Sequence, residues 1–279
     1  MEAKNTGPAQ TEEGGKRRGC RYPIVLVHGT GARDDKRKNC WGRIPQALRA
    51  EGARVYCGQT DAMAPIDRNA ALLRRTVVNI LRETGADKVN IIAHSKGGLD
   101  ARHMISRLGM ADRVASLTTI STPHRGSRTL DRIFRISTPL YRAIGAVVNL
   151  YFRLYGDKTP DFYQTTKEFT TAEAERFNRA NPDQPGVYYQ SYASVMRRIP
   201  LDMVLLLPYA VIRIVEGEND GLVTPASARW GVFQGWVSQD EGRGLSHADI
   251  VDLRQFGRRK MNICEFYAGI VARLREAGF

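Results

Sequence analysis

Short apolar segments rich in branched side chains alternate with longer segments of helical periodicity through the first 120 residues. The strands predicted from this pattern are Ile24–Val27, Ala53–Cys57, Val89–Ile92 and Val114–Ile120. The helices predicted between them are Trp41–Gly52, Ala70–Thr84 and Gly98–Leu108. Because strands that alternate with helices of this length form parallel βα units, we predict an α/β protein with a mostly parallel central sheet flanked by helices.

The pattern changes beyond Pro123, where helical signals replace strands. One apolar helical face is formed by Leu130, Ile133 and Phe134. A second helix is predicted to begin at Thr138-Pro139, since proline is favoured in the first turn. Further strand-like segments and a closing helix are predicted at Val187–Tyr192, Val211–Glu216 and Ile263–Leu274. We therefore predict a flexible tail over residues 1–21 and a single domain over residues 22–279, with a helical lid or cap inserted at about 125–185.

The composition excludes several classes of protein. A hydrophobic fraction of 42% with 25% charged residues is ordinary for a globular domain and excludes wholesale disorder. The longest apolar runs, Met203–Ile212 and Ala143–Phe152, are about half the roughly 20 residues that cross a bilayer. The net charge of +13 favours anionic partners. No nucleic-acid-binding motif is present and the basic residues outside the cap are dispersed, so we expect no nucleic acid partner.

The N-terminal residues and the cysteines bear on the cellular compartment. The first twenty residues contain no apolar segment typical of a signal peptide, so a cytoplasmic location is expected. The four cysteines are widely spaced and form no zinc-binding pattern: Cys20, Cys40, Cys57 and Cys264. Reduced thiols are therefore expected.

The segment Ala93-His94-Ser95-Lys96-Gly97-Gly98 lies between a predicted strand and a predicted helix. A nucleophilic serine must stand clear of the sheet edge, which requires a tight strand-to-helix turn with small residues two positions before and after the serine. Ala93 and Gly97 meet this requirement. The following helix adds its positive end to the site. We therefore predict that Ser95 is a catalytic nucleophile.

The general base can be sought among the five histidines. His94 is adjacent to the nucleophile and cannot fold back onto it, and His103 lies roughly 12 Å along the helix. His28 belongs to the first glycine turn, where a structural role is expected, and His124 could line the cleft but has no acid at a useful position. His247 lies in a late loop before the last helix, which suits a base brought to the nucleophile by the fold.

The orienting acid is expected at the end of a late strand. Asp220 follows the predicted strand Val211–Glu216 and precedes His247 by 27 residues, although Asn-Asp-Gly is also an ordinary turn sequence. The order Ser95, Asp220, His247 is that of the α/β-hydrolase fold and differs from other serine-hydrolase scaffolds. This fold also predicts the oxyanion donors, which are the backbone N–H groups of Lys96 and of Thr30 in the turn after the first strand.

Five segments carry a specific resemblance to a known family: Tyr22–Gly29, Val89–Gly98, Leu117–Ser127, Thr171–Asn178 and Asn219–Val223. They resemble the opening strand, the nucleophile turn, the next strand and loop, a helix after the lid and the acid turn of the bacterial true lipases. These are the pseudomonad-type triacylglycerol lipases of the α/β-hydrolase superfamily. The resemblance implies carboxylester hydrolysis through an acyl-serine intermediate, with a mobile helical lid over the cleft.

The chain departs from this family at three points. Its members are typically exported, whereas no export signal is seen here. A cysteine that many carry after the acid turn is absent, because Thr224–Ser227 stands there, so the family disulfide is not expected. The resemblance implies a calcium site that includes Asp249, with Asp202 as a candidate second acid, but Leu253 replaces an expected glutamine. Calcium is therefore left open, and no metal or cofactor is assigned.

The cap carries seven Arg or Lys and two Asp over residues 124–158, a local net charge of +5 around an apolar face. This pattern fits an interfacial lid that is attracted to a lipid surface. It also fits two cap helices packed on the core with arginines in solvent. Both interpretations stay open at this point.

The sequence thus predicts a serine lipase or esterase that acts on lipid or small-molecule esters, with possible transient contact with a membrane or lipid–water interface. Two alternatives remain. An acyltransferase or polyester depolymerase would use the same triad, and a non-catalytic protein would bind a membrane surface.

Overall fold

The computed structural model describes residues 20–34, 40–136, 138–197, 203–237, 244–253 and 262–279. Residues 1–19 of the predicted tail lie outside these ranges. The last two residues of the predicted tail contact the C-terminal helix region. The Arg21 N–H donates to the carbonyl of Phe279 over 3.0 Å, and Cys20 Sγ lies 3.4 Å from the carbonyl of Val271.

A six-stranded sheet, all of whose pairings are parallel, forms the centre of the described structure. Its strands are β1 Ile24–Val27, β2 Val55–Cys57, β3 Val89–His94, β4 Val114–Ile120, β5 Tyr188–Ser194 and β6 Val232–Val237. The spatial order is β2-β1-β3-β4-β5-β6. In a parallel sheet every strand ends at the same edge, so the loops after β1, β3, β4 and β5 gather on one side of the molecule.

Helices connect the strands and make up the region predicted as a cap. They are α1 Ile44–Ala50, α2 Ile66–Thr84, α3 Lys96–Arg107, α4 Arg128–Ile136, α5 Thr138–Tyr155, α6 Phe162–Lys167, α7 Thr171–Ala180, α8 Met203–Val215, α9 Pro225–Ala228 and α10 Ile263–Glu276. Gly85 ends α2 in the left-handed conformation, with φ of 65°, which agrees with the predicted end of this helix at Thr84.

Both faces of the sheet are covered, because successive side chains of a strand point to opposite sides. In β1, Ile24 and Leu26 pack towards α1 and α10, whereas Val25 and Val27 pack towards α2 and α3. All four are fully buried. This double burial explains why the strands are apolar at every position.

The sequence prediction is wrong at Val211–Glu216, which is not a strand. Residues 211–215 form the end of α8, and Glu216 follows in a turn. The branched side chains resemble a strand pattern, but the buried residues Leu205, Tyr209 and Ile212 are spaced four and three apart and so form one face of a helix. Strand β6 lacks the continuous apolar pattern of the predicted strands and is not predicted from the sequence. It lies at the edge of the sheet, where its exposed and half-buried positions alternate.

Helices α4 to α7 all lie within the predicted cap at 125–185, and α8 packs beside α4. Several apolar side chains of this region are exposed to solvent: Ile136, Val147, Leu150, Tyr151 and Leu154, with Val204, Leu207 and Ile214 on α8. None of the described helices combines the length and the apolar character needed to cross a membrane.

Candidate active site

Ser95 lies at the sharp turn between β3 and α3, with φ of 52° and ψ of −131°. Its N–H donates to the carbonyl of Ile120 at the end of β4. The turn depends on two glycines. A Cβ at Gly97 would lie 2.5 Å from the carbonyl oxygen of His28, and a Cβ at Gly29 would lie 2.5 Å from the Cβ of Ser95. The small residue predicted two positions after the nucleophile, Gly97, is thus required by direct contact with the backbone at the end of β1 and the loop after it.

Lys96 directs its side chain away from the cleft. Its ammonium group is buried and pairs with Asp100 one helical turn later, with Nζ 2.5 Å from Oδ1. Asn69 donates to the other oxygen of Asp100 over 3.2 Å. Burial raises the pKa of Asp100, and the Lys96 ammonium opposes that rise. The buried pair anchors the first turn of α3, so that only the backbone N–H of Lys96 can serve the site.

Asp220 is fully buried, and hydrogen bonds satisfy both of its carboxylate oxygens. Oδ1 accepts the N–H groups of Leu222 and Val223 at 3.0 and 2.8 Å. Oδ2 accepts the Ser194 hydroxyl at 3.0 Å and faces His247. Burial alone would raise the pKa of Asp220, but the imidazole and the two N–H donors hold this pKa below its usual value.

His247 is joined to Asp220 twice. Nδ1 of the imidazole lies 2.9 Å from Asp220 Oδ2, and the backbone N–H of His247 donates to the Asp220 carbonyl over 2.8 Å. Both loops are fixed to the end of β5, because Leu245 donates to the carbonyl of Val195 and Met196 donates to the carbonyl of Asn219. The sheet edge therefore brings together two segments that are 27 residues apart in sequence.

His94 completes the contact between this pair and the nucleophile turn. Its ring centroid lies 4.4 Å from that of His247, with the planes tilted by 46°. This packing brings the His247 imidazole against the residue that directly precedes Ser95. Burial lowers the pKa of His94 well below its usual value, and the neighbouring His247 lowers it further. The ring is therefore neutral at physiological pH.

This role of His94 and that of Ser194 are not evident from the sequence. Adjacency to Ser95 excluded His94 as the base, but the strand-to-helix turn sends its ring towards the late loop. Ser194 belongs to no sequence motif that would predict its contact with Asp220. The contact depends on the folded sheet, in which β5 pairs with β4. The signal that could have found both is position at the carboxyl end of a parallel strand.

The other histidines lie outside the cluster of Ser95, His94, Asp220 and His247. His124 does not line the cleft. It is fully buried, stacks on Trp230 at 5.3 Å and contacts Arg102. His103 bonds to Asn181. His28 bonds to the carbonyls of Gly29 and Thr60 and so holds the loop after β1, as the sequence predicts.

A cavity of about 450 Å³ opens beside the cluster and is lined mostly by apolar side chains. Its walls include the loop from His28 to Arg33, both His94 and His247, and residues of α5 and α8 such as Tyr155, Val204 and Leu205. Among the described residues, the backbone N–H groups of Thr30 and Lys96 have no hydrogen-bond acceptor. The Ser95 hydroxyl likewise has no hydrogen-bond partner among these residues. The predicted nucleophile and both predicted oxyanion donors thus have unused hydrogen-bonding groups, and Thr30 also lines the cavity.

Of the two acids considered for calcium, Asp249 lies within the described residues. Asp249 accepts the Ser246 N–H over 3.3 Å, and Asp202 lies outside the described residues. Within the described ranges, no three or more His, Cys, Asp or Glu side chains are grouped closely enough to hold a metal ion.

The comparisons with known proteins agree with this architecture. A family model of the alpha/beta hydrolase fold matches residues 22–144. A triacylglycerol lipase of Vibrio cholerae is 31% identical over 263 residues, which cover 83% of this chain and 80% of that protein. A triacylglycerol lipase of Pseudomonas fragi is 28% identical over 292 residues, which cover 92% and 97%.

A solved structure extends the likeness to the fold of nearly the whole chain. The Staphylococcus hyicus lipase aligns with a TM-score of 0.71 over 97% of this chain and 99% of that one, at 18% identity. The predicted α/β-hydrolase fold is confirmed, and so is the predicted likeness to bacterial lipases. The chain belongs to the triacylglycerol lipase family of the α/β-hydrolase fold.

Proposed function

We propose that this carboxylic ester hydrolase cleaves lipid esters through an acyl-serine intermediate, with Ser95 as nucleophile, His247 as general base and Asp220 as the group that orients the imidazole. The observation that carries the proposal is the 2.9 Å contact between His247 Nδ1 and the buried carboxylate of Asp220, with the imidazole packed against the Ser95 turn through His94. This contact leaves Nε2 as the proton acceptor for the serine.

The reaction follows from these positions in two stages. Ser95 Oγ attacks the ester carbonyl as its proton passes to Nε2 of His247, and the imidazolium then returns that proton to the departing alcohol. Water, deprotonated by the same nitrogen, next attacks the acyl-serine, releases the acid and restores the serine. Asp220 stabilises the imidazolium, because its charge lies against Nδ1 throughout.

The negative charge of each tetrahedral intermediate requires donors that are already in place. The free N–H groups of Thr30 and Lys96 supply them, since Gly29 packs directly on Ser95 and Lys96 follows it. The positive end of α3 points at the same position. The reaction as written needs no metal or cofactor.

The substrate class is proposed from the relatives and from the cavity. The relatives from Vibrio cholerae and Pseudomonas fragi are named triacylglycerol lipases, and the apolar walls of the 450 Å³ cavity suit an acyl chain. The exposed apolar side chains of α5 and α8 lie on helices that also line its mouth, through Tyr155 and Val204. We propose that these helices form a lid that contacts the lipid surface.

Hydrolysis of short- and long-chain p-nitrophenyl esters by the wild type and by Ser95→Ala tests the catalytic assignment. The wild type should hydrolyse the esters and react covalently with a serine-directed phosphonate, whereas Ser95→Ala should do neither. Ser106→Ala is a matched control, because Ser106 lies on the same helix α3 outside the cavity. Equal rates in the wild type and in Ser95→Ala would favour a non-catalytic, surface-binding protein.

A further inference from the structure

The side chain of Thr30 carries a buried hydroxyl with no hydrogen-bond partner among the described residues. A hydroxyl taken out of water without a partner is unfavourable, so native proteins rarely keep one without a reason. The residue as a whole is only half-buried and lines the 450 Å³ cavity beside His247. Thr30 therefore lies in one wall of the cavity and has two groups that can donate a hydrogen bond, its N–H and its Oγ1.

The backbone on both sides of Thr30 is held in place. Gly29 lies against the nucleophile, since a Cβ there would be 2.5 Å from Ser95 Cβ and 3.1 Å from Ser95 Oγ. The N–H of Gly31 donates to the carbonyl of Ala62 over 2.9 Å, and the ring of His28 contacts the carbonyl of Gly29. Thr30 thus follows, by one peptide bond, the residue that touches the attacking oxygen.

We propose that the Thr30 hydroxyl is a third donor to the oxyanion, in addition to the backbone N–H groups of Thr30 and Lys96. The proposal rests on the proposed function of Ser95. The hydroxyl keeps its proton throughout and only donates a hydrogen bond, which strengthens as the carbonyl oxygen gains negative charge. The energetic cost of leaving it unpaired in the resting enzyme is then recovered in the transition state.

Unpaired buried hydroxyls elsewhere in the described structure provide a contrast. Thr122 and Thr129 also have a buried Oγ1 without a partner, but neither lines the cavity. Thr129 lies in the first turn of α4 and is 6% exposed. Its replacement by valine removes the same group from a comparable environment and is the matched control.

Steady-state kinetics of Thr30→Val on a soluble p-nitrophenyl ester tests the proposal. Valine keeps the shape and the backbone N–H but removes the hydroxyl, so kcat should fall about 100-fold with little change in KM. Thr30→Ser, which restores a hydroxyl, should recover most of that loss. Thr129→Val should keep the wild-type kcat. Affinity for a trifluoromethyl ketone, which forms a tetrahedral oxyanion on the serine, should fall in Thr30→Val by a factor similar to that in kcat.

The melting temperature of Thr30→Val and the activity of Ser95→Ala distinguish a failure of this proposal from a failure of the proposed function. The melting temperature of Thr30→Val should equal or exceed that of the wild type, because an unpaired buried hydroxyl is removed. If the valine variant does not fold, Thr30→Ala provides the same kinetic comparison. A kcat within threefold of the wild type in Thr30→Val, or a loss confined to KM, would overturn the proposal while Ser95→Ala remains inactive. Full activity in Ser95→Ala would instead overturn the proposed function itself.

Discussion

Ser95 has a backbone conformation that residues with a side chain rarely adopt, with φ of 52°. Neighbouring elements hold it there. Its N–H is bonded to β4 through Ile120, and Gly97 allows the carbonyls of Val27 and His28 to approach within the space a methyl group would fill. The strain at the nucleophile is therefore maintained by the packing of β1, β3 and β4 and raises the serine above the sheet edge.

The orienting role of Asp220 can be tested by Asp220→Asn. The amide keeps an oxygen for the N–H groups of Leu222 and Val223, so the loop should fold normally. It cannot hold the imidazole in the same tautomer or stabilise its charge, so kcat should fall by about 10⁴-fold. Measurement of kcat and KM on a soluble ester checks this. Asp183→Asn is the control, because Asp183 is exposed and accepts a hydrogen bond from the indole of Trp230. A loss below tenfold would contradict the assignment.

At the scale of elements, Glu168 joins the end of α6 to the beginning of α2. Its carboxylate accepts the N–H of Ile66, the first residue of α2, at 3.1 Å. Burial raises the pKa of Glu168 to about 7 and the nearby Asp100 adds to the rise, whereas Lys96 and the Ile66 N–H oppose it. The contact fixes the cap to the sheet domain next to the buried pair beneath Ser95.

This raised pKa predicts a pH-dependent stability. Because the carboxylate ionises less readily in the folded state, the free energy of unfolding should fall as pH rises from about 4.5 to about 7, by at most about 3 kcal/mol. Glu168→Gln removes the titration, so the variant should gain stability over the wild type at pH 8 and much less at pH 5. Denaturant unfolding at the two pH values measures this.

The exposed Glu175 on α7 provides the control for that experiment, since Glu175→Gln should change the free energy of unfolding equally at both pH values. The same difference between the wild type and Glu168→Gln at pH 5 and pH 8 would show that Glu168 does not titrate in this range.

Periodicity predicted most of the elements that position the site. The limits of β4 agree at both ends, and the strand-to-helix change around Ser95 is where the sequence placed it. Asp220 is predicted from its position after a strand, and this reason is wrong because Asp220 follows helix α8. The loop that carries Asp220 nevertheless meets His247, since tertiary hydrogen bonds tie it to β5. Contacts of this kind, such as the ring of His94 against His247, leave no periodic trace in the sequence.

At the scale of the whole molecule, charge and exposed apolar surface coincide on the cap. Leu150 and Leu154 of α5 are 58% and 81% exposed, and the exposed residues Arg142 and Arg153 lie on the same helix. Apolar side chains enter a lipid surface, and arginines are attracted to anionic headgroups. The proposed lid should therefore bind anionic vesicles more strongly than zwitterionic ones, with a salt dependence only for the former.

Leu154→Asp tests this surface without disturbing the core. Binding to anionic vesicles should weaken by about 10- to 100-fold, since a leucine that no longer enters the lipid loses roughly 1.5–3 kcal/mol. Activity on a soluble short ester should remain. Vesicle co-sedimentation measures the binding. Val232→Asp, at a half-exposed position on the edge strand β6, is the control and should bind like the wild type. Unchanged binding by Leu154→Asp would exclude α5 from the lipid contact.

The contact between Arg21 and the carbonyl of Phe279 lies where the strands begin, because Arg21 leads directly into β1. The catalytic loops lie where the strands end. A support or surface anchor coupled through residue 279 would therefore hold the molecule by its base, with the cavity mouth turned towards the medium and open to droplets or vesicles.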